Sequence, residues 1–135
     1  MSVLVWIEQA NGKPAATSWE VLGKGRELAA ALGVPLAAVV MGETTEQTAG
    51  EAGTLGAQTV YTLTGPLFAQ YRLSAYAAGL KQAVGAASAS VVLTAATARG
   101  RELCAAVACA MDAGMAPDAV DLRVEDGKLV AVRSV

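Results

Sequence analysis

The stretch VVLTAATARGRELCAAVACAM, residues Val91–Met111, decides the fold of this chain. Its β-branched apolar start predicts a buried strand over Val91–Ala95, and a polar loop follows over Ala96–Gly100. An alanine-rich helix then begins at Arg101–Glu102. A strand that turns tightly into a helix is half of a parallel β-α unit, and we expect this strand to be central in its sheet.

The rest of the chain repeats this alternation. Apolar runs predict three earlier strands, and helical periodicity predicts a helix after each of them. The strands are Val3–Glu8, Leu36–Met41 and Thr59–Leu63, and the helices run from Ser18 to Gly33, over Glu43–Leu55 and over Ser74–Ala87. This order predicts a three-layer α/β/α fold with a mostly parallel sheet, formed by residues 1–135 as a single domain.

The first helix has recognisable boundary signals. Thr17 and Glu20 match a capping box in which Thr17 is the N-cap, and Gly33 is the expected end. The loop before it, Gln9–Ala16, contains the turn formers Asn11-Gly12 and Pro14. The buried stripes predicted for the last two helices are Tyr76, Leu80 and Val84 on one, and Leu103, Val107, Ala110 and Met111 on the other.

The end of the chain departs from the strand-helix alternation. Ala119–Glu125 alternates apolar and polar residues, and Asp126-Gly127 is a strong signal for a two-residue hairpin turn. The returning strand is Lys128–Val135. A two-residue turn places Glu125 opposite Lys128 and therefore Val124 opposite Leu129, so we predict a C-terminal antiparallel β-hairpin.

The returning hairpin strand is apolar on both of its faces. Leu129 is expected to face the core, which leaves Val130 and Val132 on the other side. That second face needs a cover, from this domain, from a further domain or from a partner. The sequence stops on VAVRSV, within the strand pattern, so we expect the natural chain to continue.

Composition excludes several classes of function. The net charge of −2 carries no basic patch for nucleic acid or an anionic membrane. No segment reaches the roughly 18 apolar residues of a membrane span, and the N-terminus lacks the features of a signal peptide. Cys104 and Cys109 lie about 140° apart on one helix, so they cannot pair there. We interpret both as small core residues in a reducing, cytoplasmic compartment.

Catalytic machinery is hard to find in this sequence. The chain has no histidine, no acidic cluster and no Ser or Cys beside a base, so we predict neither catalytic residues nor a metal site. Glu8 and Glu43 follow strands, but nothing in the sequence pairs them, and surface or capping roles are favoured. Neither a flavodoxin-like phosphate loop nor a Walker loop stands at the required position after a strand.

The loop after the Val91–Ala95 strand offers the best binding candidate. Thr97 can donate a hydroxyl, Gly100 allows close approach to the backbone, and Arg99 and Arg101 add positive charge beside the free amides of a helix start. The competing and favoured interpretation is structural. In it Thr97 caps the helix, Gly100 permits the turn and Glu102 complements the helix dipole.

Several segments in order resemble the amino-terminal domain of the electron transfer flavoprotein alpha subunit. They are VLVWIE, the block Lys13–Gly33, AAVVMGE, LGAQTVY, TAATARGREL, AMDAGMAPDAVDL and RVEDGKLVAVR. Together they cover essentially the whole chain. The resemblance implies an adenine-nucleotide alpha-hydrolase-like fold and a role as a scaffold that packs on a beta subunit.

The resemblance also implies a function in electron transfer. The alpha–beta heterodimer of this family accepts electrons from primary flavin dehydrogenases and passes them on through one FAD. That FAD is held mainly by a carboxy-terminal alpha domain, which this sequence lacks, so no flavin-contacting residue is carried over. The chain is then a subunit of an electron carrier without an active site of its own. The alternatives are a stand-alone nucleotide-binding domain of universal-stress type and an interaction scaffold without a ligand.

Overall fold

A computed structural model describes residues 1–133 of the chain, and the last two residues of the predicted Lys128–Val135 strand lie outside the described part. The elements in order are β1 (Ser2–Ile7), β2 (Gln9–Ala10), β3 (Lys13–Pro14), α1 (Ala16–Leu32), β4 (Leu36–Gly42), α2 (Glu46–Thr54), β5 (Thr59–Thr64), a 3₁₀ turn (Pro66–Phe68), α3 (Leu73–Ala87), β6 (Ala89–Leu93), α4 (Ala98–Ala110), β7 (Ala119–Glu125) and β8 (Lys128–Arg133).

The core is a parallel sheet of four strands in the order β5-β4-β1-β6. Every residue of β1 and β4 is buried, as the uninterrupted apolar runs predict for strands covered on both faces. Alternate residues of β1 enter separate cores. Val3, Val5 and Ile7 pack on the side of α1 and α2, whereas Leu4 and Trp6 pack on the side of α3 and α4. The predicted three-layer α/β fold is therefore confirmed.

The strand predicted over Val91–Ala95 forms two residues earlier, as β6, and it is not central in the sheet. β6 is the outer strand of the four and pairs only with β1 among the described residues. A short apolar run looks the same whether its strand lies inside a sheet or at its edge, because both positions are covered by helices on the faces. The two strands in the middle are β1 and β4.

The start of α1 differs from the predicted capping box. The segment Gln9–Ala16 contains the small β2–β3 hairpin, whose turn residues Asn11 and Gly12 both have positive φ. This hairpin brings the chain to the helix early, so Ala15 is the N-cap and Thr17 lies inside the first turn. Gly33 ends the helix in the left-handed conformation, as predicted.

The stripe predicted for α3 is confirmed, and the stripe predicted for α4 only in part. Tyr76, Leu80 and Val84 are buried, and so are Leu103 and Val107. The helix α4 ends at Ala110, and no described element covers its last turn, so Ala110 and Met111 are exposed where burial was predicted.

The two cysteines, both predicted to be core residues, differ in burial. Cys104 is half-buried, and burial raises the pKa of its thiol, with a smaller opposing effect from a hydrogen bond to Thr94. Cys109 is exposed, so its predicted burial is wrong. It lies about 200° around the helix from Val107, which faces the core.

The C-terminal hairpin has the predicted turn and register. Glu125 pairs with Lys128 and Val124 with Leu129, and β7 and β8 form a separate two-stranded sheet. Leu122 and Val124 pack against the core on the α1 side.

An ion pair of 3.1 Å between Lys24 Nζ and Asp121 Oδ1 ties the hairpin to α1. Leu129 is 39% exposed, which contradicts its predicted place in the core, and it opens onto a surface groove. Val130 and Val132 are half-buried.

No helix in the described part of the chain is long and apolar enough to cross a membrane.

Candidate functional site at the carboxyl end of the sheet

The strand order defines the place where ligands meet sheets of this kind. The chain adds β4 and β5 on one side of β1 and then returns to place β6 on the other side. The crevice outside the carboxyl ends of β1 and β6 is therefore the topological switch point. Glu8 follows β1, and the loop that begins at Thr94 follows β6, so both border this point.

Thr97 joins the two sides of the switch point through one hydroxyl. Its Oγ1 donates to Glu8 Oε1 at 2.7 Å and accepts from the Gly100 backbone N–H at 3.0 Å. Thr97 is the N-cap of α4, and its backbone carbonyl accepts from Arg101 N–H at 2.9 Å. The Glu8 carboxylate thus lies beside the first turn of a helix, where negative charge is favourable.

Gly100 is required by close packing. A Cβ at this position would collide with the Ala95 backbone carbonyl and approach Thr97 Oγ1 to 3.1 Å. The Gly100 carbonyl also accepts a hydrogen bond of 3.2 Å from Thr94 Oγ1. These contacts hold the start of α4 tightly against the loop that leaves β6.

The two arginines of the loop contact groups within the chain. The Arg99 guanidinium lies 5.2 Å from the ring centroid of Tyr71, a cation–π geometry. Tyr71 donates its hydroxyl to Glu102 Oε1 at 2.9 Å. Burial raises the pKa of the Tyr71 phenol well above its usual range, and the hydrogen bond to Glu102 adds to the shift. Arg101 forms an ion pair of 3.0 Å with Asp118.

An aromatic cluster supports this end of the sheet. Tyr76 makes edge-to-face contacts with Trp6, Phe68 and Tyr71, with ring centroids 6.4, 5.6 and 5.0 Å away. The Tyr76 hydroxyl donates to the Phe68 carbonyl at 2.6 Å. Burial raises the pKa of the Tyr76 phenol. Four of the chain's six aromatic residues lie together here.

A polar cleft of about 510 Å³ opens beside the cluster, across the carboxyl ends of the sheet. Its lining includes Gln9, Glu43, Thr44, Tyr71 and Arg99. The Gln9 side chain donates to the Thr44 carbonyl at 2.8 Å, while its Oε1 is buried without a partner among the described residues. Residues 1–133 contain no group of three potential metal ligands.

Two residues of this site were not predicted from the sequence. Glu8 was assigned a surface or capping role, yet it contacts Thr97, which lies 89 positions later in the chain. Tyr71 was not singled out at all. The usable signal for Glu8 was its position directly after a buried strand, but the partner strand could be known only from the order within the sheet.

Comparison with known proteins identifies the family. The model of the electron transfer flavoprotein domain matches residues 3–135. The chain belongs to the electron transfer flavoprotein domain family. The resemblance found in the sequence is thereby confirmed over the whole fold described above.

Several curated relatives align with nearly all of the chain. Protein FixB of Azorhizobium caulinodans is 40% identical over 97% of this chain and 37% of its own length. The electron transfer flavoprotein subunit alpha of Thermoanaerobacterium thermosaccharolyticum is 31% identical over 93% of this chain and 39% of its own. The acryloyl-CoA reductase electron transfer subunit beta of Anaerotignum propionicum is 32% identical over 95% of this chain and 35% of its own length. The chain therefore spans less than half the length of these curated relatives.

Proposed function

We propose that this chain is the amino-terminal scaffold domain of an electron transfer flavoprotein alpha subunit. With a beta subunit it carries electrons from primary flavin dehydrogenases to a downstream acceptor. The observation that carries the proposal is the family match over residues 3–135, together with relatives that are named alpha subunits or electron-transfer subunits. Residues 1–135 act as one domain, and the protein works in the cytoplasm without contacting nucleic acid or inserting into a membrane.

FAD belongs to the complete heterodimer in this proposal and is not held by this segment. The residues present do not fit the diphosphate of a flavin dinucleotide at the switch point. The Glu8 carboxylate lies there, bound to the N-cap Thr97, and a phosphate at the same helix start would meet like charge. We therefore assign no step of electron transfer to a residue of this chain, and we do not classify the domain as an enzyme.

The Thr97–Arg101 loop holds α4 on the sheet in this proposal and is not an anion site. The contacts of its side chains support this role. Thr97 bonds Glu8 and Gly100, Arg99 stacks on Tyr71, and Arg101 pairs with Asp118. Both arginine side chains thus contact groups of the same chain. The universal-stress alternative gains no support from the relatives named above.

Flavin content tests the scaffold proposal. The purified 1–135 protein is expected to be colourless, and adding FAD should leave its urea midpoint unchanged, because a ligand that binds only the folded state raises stability. Inorganic phosphate at the same ionic strength as a chloride control should also leave the midpoint unchanged. A yellow preparation with stoichiometric flavin, or a phosphate-specific rise in the midpoint, would contradict the proposal.

A further inference from the structure

The aromatic cluster connects the interior of the domain to its surface. Trp6 lies on β1 and is 2% exposed, whereas Tyr71 is half-buried and lines the polar cleft. The ring centroid of Trp6 lies 6.5 Å from that of Tyr71 and 6.4 Å from that of Tyr76. The centroids of Tyr71 and Tyr76 are 5.0 Å apart. These separations are those of aromatic rings in contact, so the three side chains form one continuous stack of contacts.

The three side chains differ in what their polar hydrogens meet. The Trp6 indole N–H is buried without a partner among the described residues. The Tyr76 hydroxyl donates to the backbone carbonyl of Phe68, which is too weak a base to remove the proton. The Tyr71 hydroxyl donates to a carboxylate oxygen of Glu102 at 2.9 Å. Of these three side chains, Tyr71 is therefore the one whose proton has a base within hydrogen-bond reach.

A base changes how easily a phenol loses an electron. A tyrosine that loses an electron alone becomes a strongly acidic radical cation, so oxidation is easier where a carboxylate takes the proton in the same step. The Arg99 guanidinium, 5.2 Å from the Tyr71 ring centroid, disfavours a positively charged ring and thereby couples electron loss to proton loss. Electrons pass rapidly between aromatic rings in contact. An electron vacancy formed on Trp6 or Tyr76 is therefore filled from Tyr71.

We propose that Tyr71 is a redox-active tyrosine with Glu102 as its proton acceptor, and that Trp6 and Tyr76 are the path by which oxidising equivalents reach it from the interior. The oxidant is a one-electron oxidant such as the carbonate radical, which takes one electron from the cluster and becomes carbonate. Tyr71 supplies that electron, its O–H bond breaks, and the proton passes to Glu102. The products are a neutral tyrosyl radical and a neutral carboxylic acid, and the exposed Glu102 returns its proton to water.

This activity goes beyond the scaffold role and needs neither FAD nor a beta subunit. Its residues come from β1, from the segment after the 3₁₀ turn, from α3 and from α4, so the complete path lies within the described chain. A failure of the electron-carrier proposal would leave it unaffected.

Site-specific oxidation of the 1–135 protein tests the proposal. Tyr61 is the matched reference, because it is half-buried like Tyr71 but donates its hydroxyl to the Ala86 carbonyl. Under brief illumination with a ruthenium tris-bipyridine complex and persulfate, Tyr71 should be oxidised severalfold faster than Tyr61, as measured by peptide mass spectrometry. Glu102→Gln keeps the side-chain shape without the base and should remove that difference. Glu46→Gln removes an exposed carboxylate elsewhere and should preserve it.

Photoionisation tests the path from the interior. With Trp19→Phe, Trp6 is the remaining tryptophan, and light that only tryptophan absorbs places the vacancy there. Transient absorption should show the tryptophan radical decaying as a tyrosyl radical appears. Adding Tyr71→Phe should prolong the tryptophan radical and suppress the tyrosyl signal.

Three results would overturn the proposal. The first is equal oxidation of Tyr71 and Tyr61 in the wild-type protein, a comparison that needs no variant. The second is a Glu102→Gln protein, with the wild-type urea midpoint, in which Tyr71 is oxidised as fast as before. The third is a Trp6 radical whose lifetime does not depend on Tyr71.

Discussion

Replacing Thr97 by alanine removes two hydrogen bonds at once. The single Oγ1 atom accepts from Gly100 N–H at 3.0 Å and donates to Glu8 Oε1 at 2.7 Å. The first bond caps α4, and the second connects the ends of β1 and β6 across the switch point. Thr97→Ala should therefore destabilise the fold at the place where the two halves of the sheet meet.

The size of the effect follows from the two lost bonds. Loss of an N-cap hydroxyl costs about 0.5–2 kcal/mol. A hydrogen bond to a charged group contributes about 1.5–3 kcal/mol, but water reaches the half-buried Glu8 and replaces part of it. Loss of the two bonds should lower the free energy of unfolding by about 2–3 kcal/mol. For a domain of this size that lowers Tm by roughly 6–12 °C.

Urea unfolding of the 1–135 protein is the assay, followed by circular dichroism and by tryptophan fluorescence. Thr97→Ser keeps the hydroxyl and should stay within about 0.5 kcal/mol of wild type. A double-mutant cycle with Glu8→Ala isolates the contact between the two side chains and should give a coupling of about 1 kcal/mol. A Thr97→Ala variant that unfolds at the wild-type urea midpoint would refute the assigned role of these two hydrogen bonds. So would a serine variant as unstable as the alanine variant.

Three further measurements address neighbouring features. Gly100→Ala should destabilise by about 2 kcal/mol or more, because the new Cβ collides with the Ala95 carbonyl, and an unchanged urea midpoint would contradict this packing. Iodoacetamide should label the exposed Cys109 well before Cys104, whose pKa is raised by burial, and equal rates by mass spectrometry would contradict the assignment. The Tyr71 phenol should ionise above the usual pH range of a tyrosine in an alkaline titration followed in the ultraviolet, and Tyr71→Phe should remove that step. Because folding raises the pKa of the Tyr71 phenol, its contribution to stability is complete below the unfolded pKa near 10 and is lost as the pH rises above that value. If Tyr71→Phe instead removed an ionisation step near the ordinary tyrosine pKa, the shift would be contradicted.

Several elements of the fold could be predicted from local sequence patterns. β1 and β4 could be predicted because strands covered on both faces contain almost only apolar residues. The register of the C-terminal hairpin could be predicted because Asp126 and Gly127 both adopt positive φ in a two-residue turn, and such a turn leaves one pairing. Gly33 could be placed as a helix end for a similar reason.

Long-range arrangement could not be read in the same way. The outer position of β6 depends on which strand it pairs with, and that choice is made 80 or more residues away in β1. Thr17 has the residue type of an N-cap, but the small hairpin before α1 moves the helix start. Ser18 turns inward instead, and its Oγ accepts from Glu8 N–H at 2.9 Å.

Only part of the candidate site could be predicted from the sequence. Thr97, Arg99, Gly100 and Arg101 were recognised because they form one local loop, and capping and turn formation were weighed against anion binding there. The partners of this loop are distant in sequence. Glu8 and Tyr71 reach it only through the tertiary packing. The position of Glu8 after a buried strand was a usable signal, but it did not identify the partner, and Tyr71 had no local signal.

Association with the beta subunit tests the central claim most directly. The 1–135 protein, of 13.6 kDa, would be mixed with the electron transfer flavoprotein beta subunit of the same organism and measured by size-exclusion chromatography with light scattering. Our account predicts a complex of one chain with one beta subunit, while the scaffold chain alone stays free of flavin. Separate elution of the two proteins at every concentration tested would contradict the claim that this domain is a scaffold for beta.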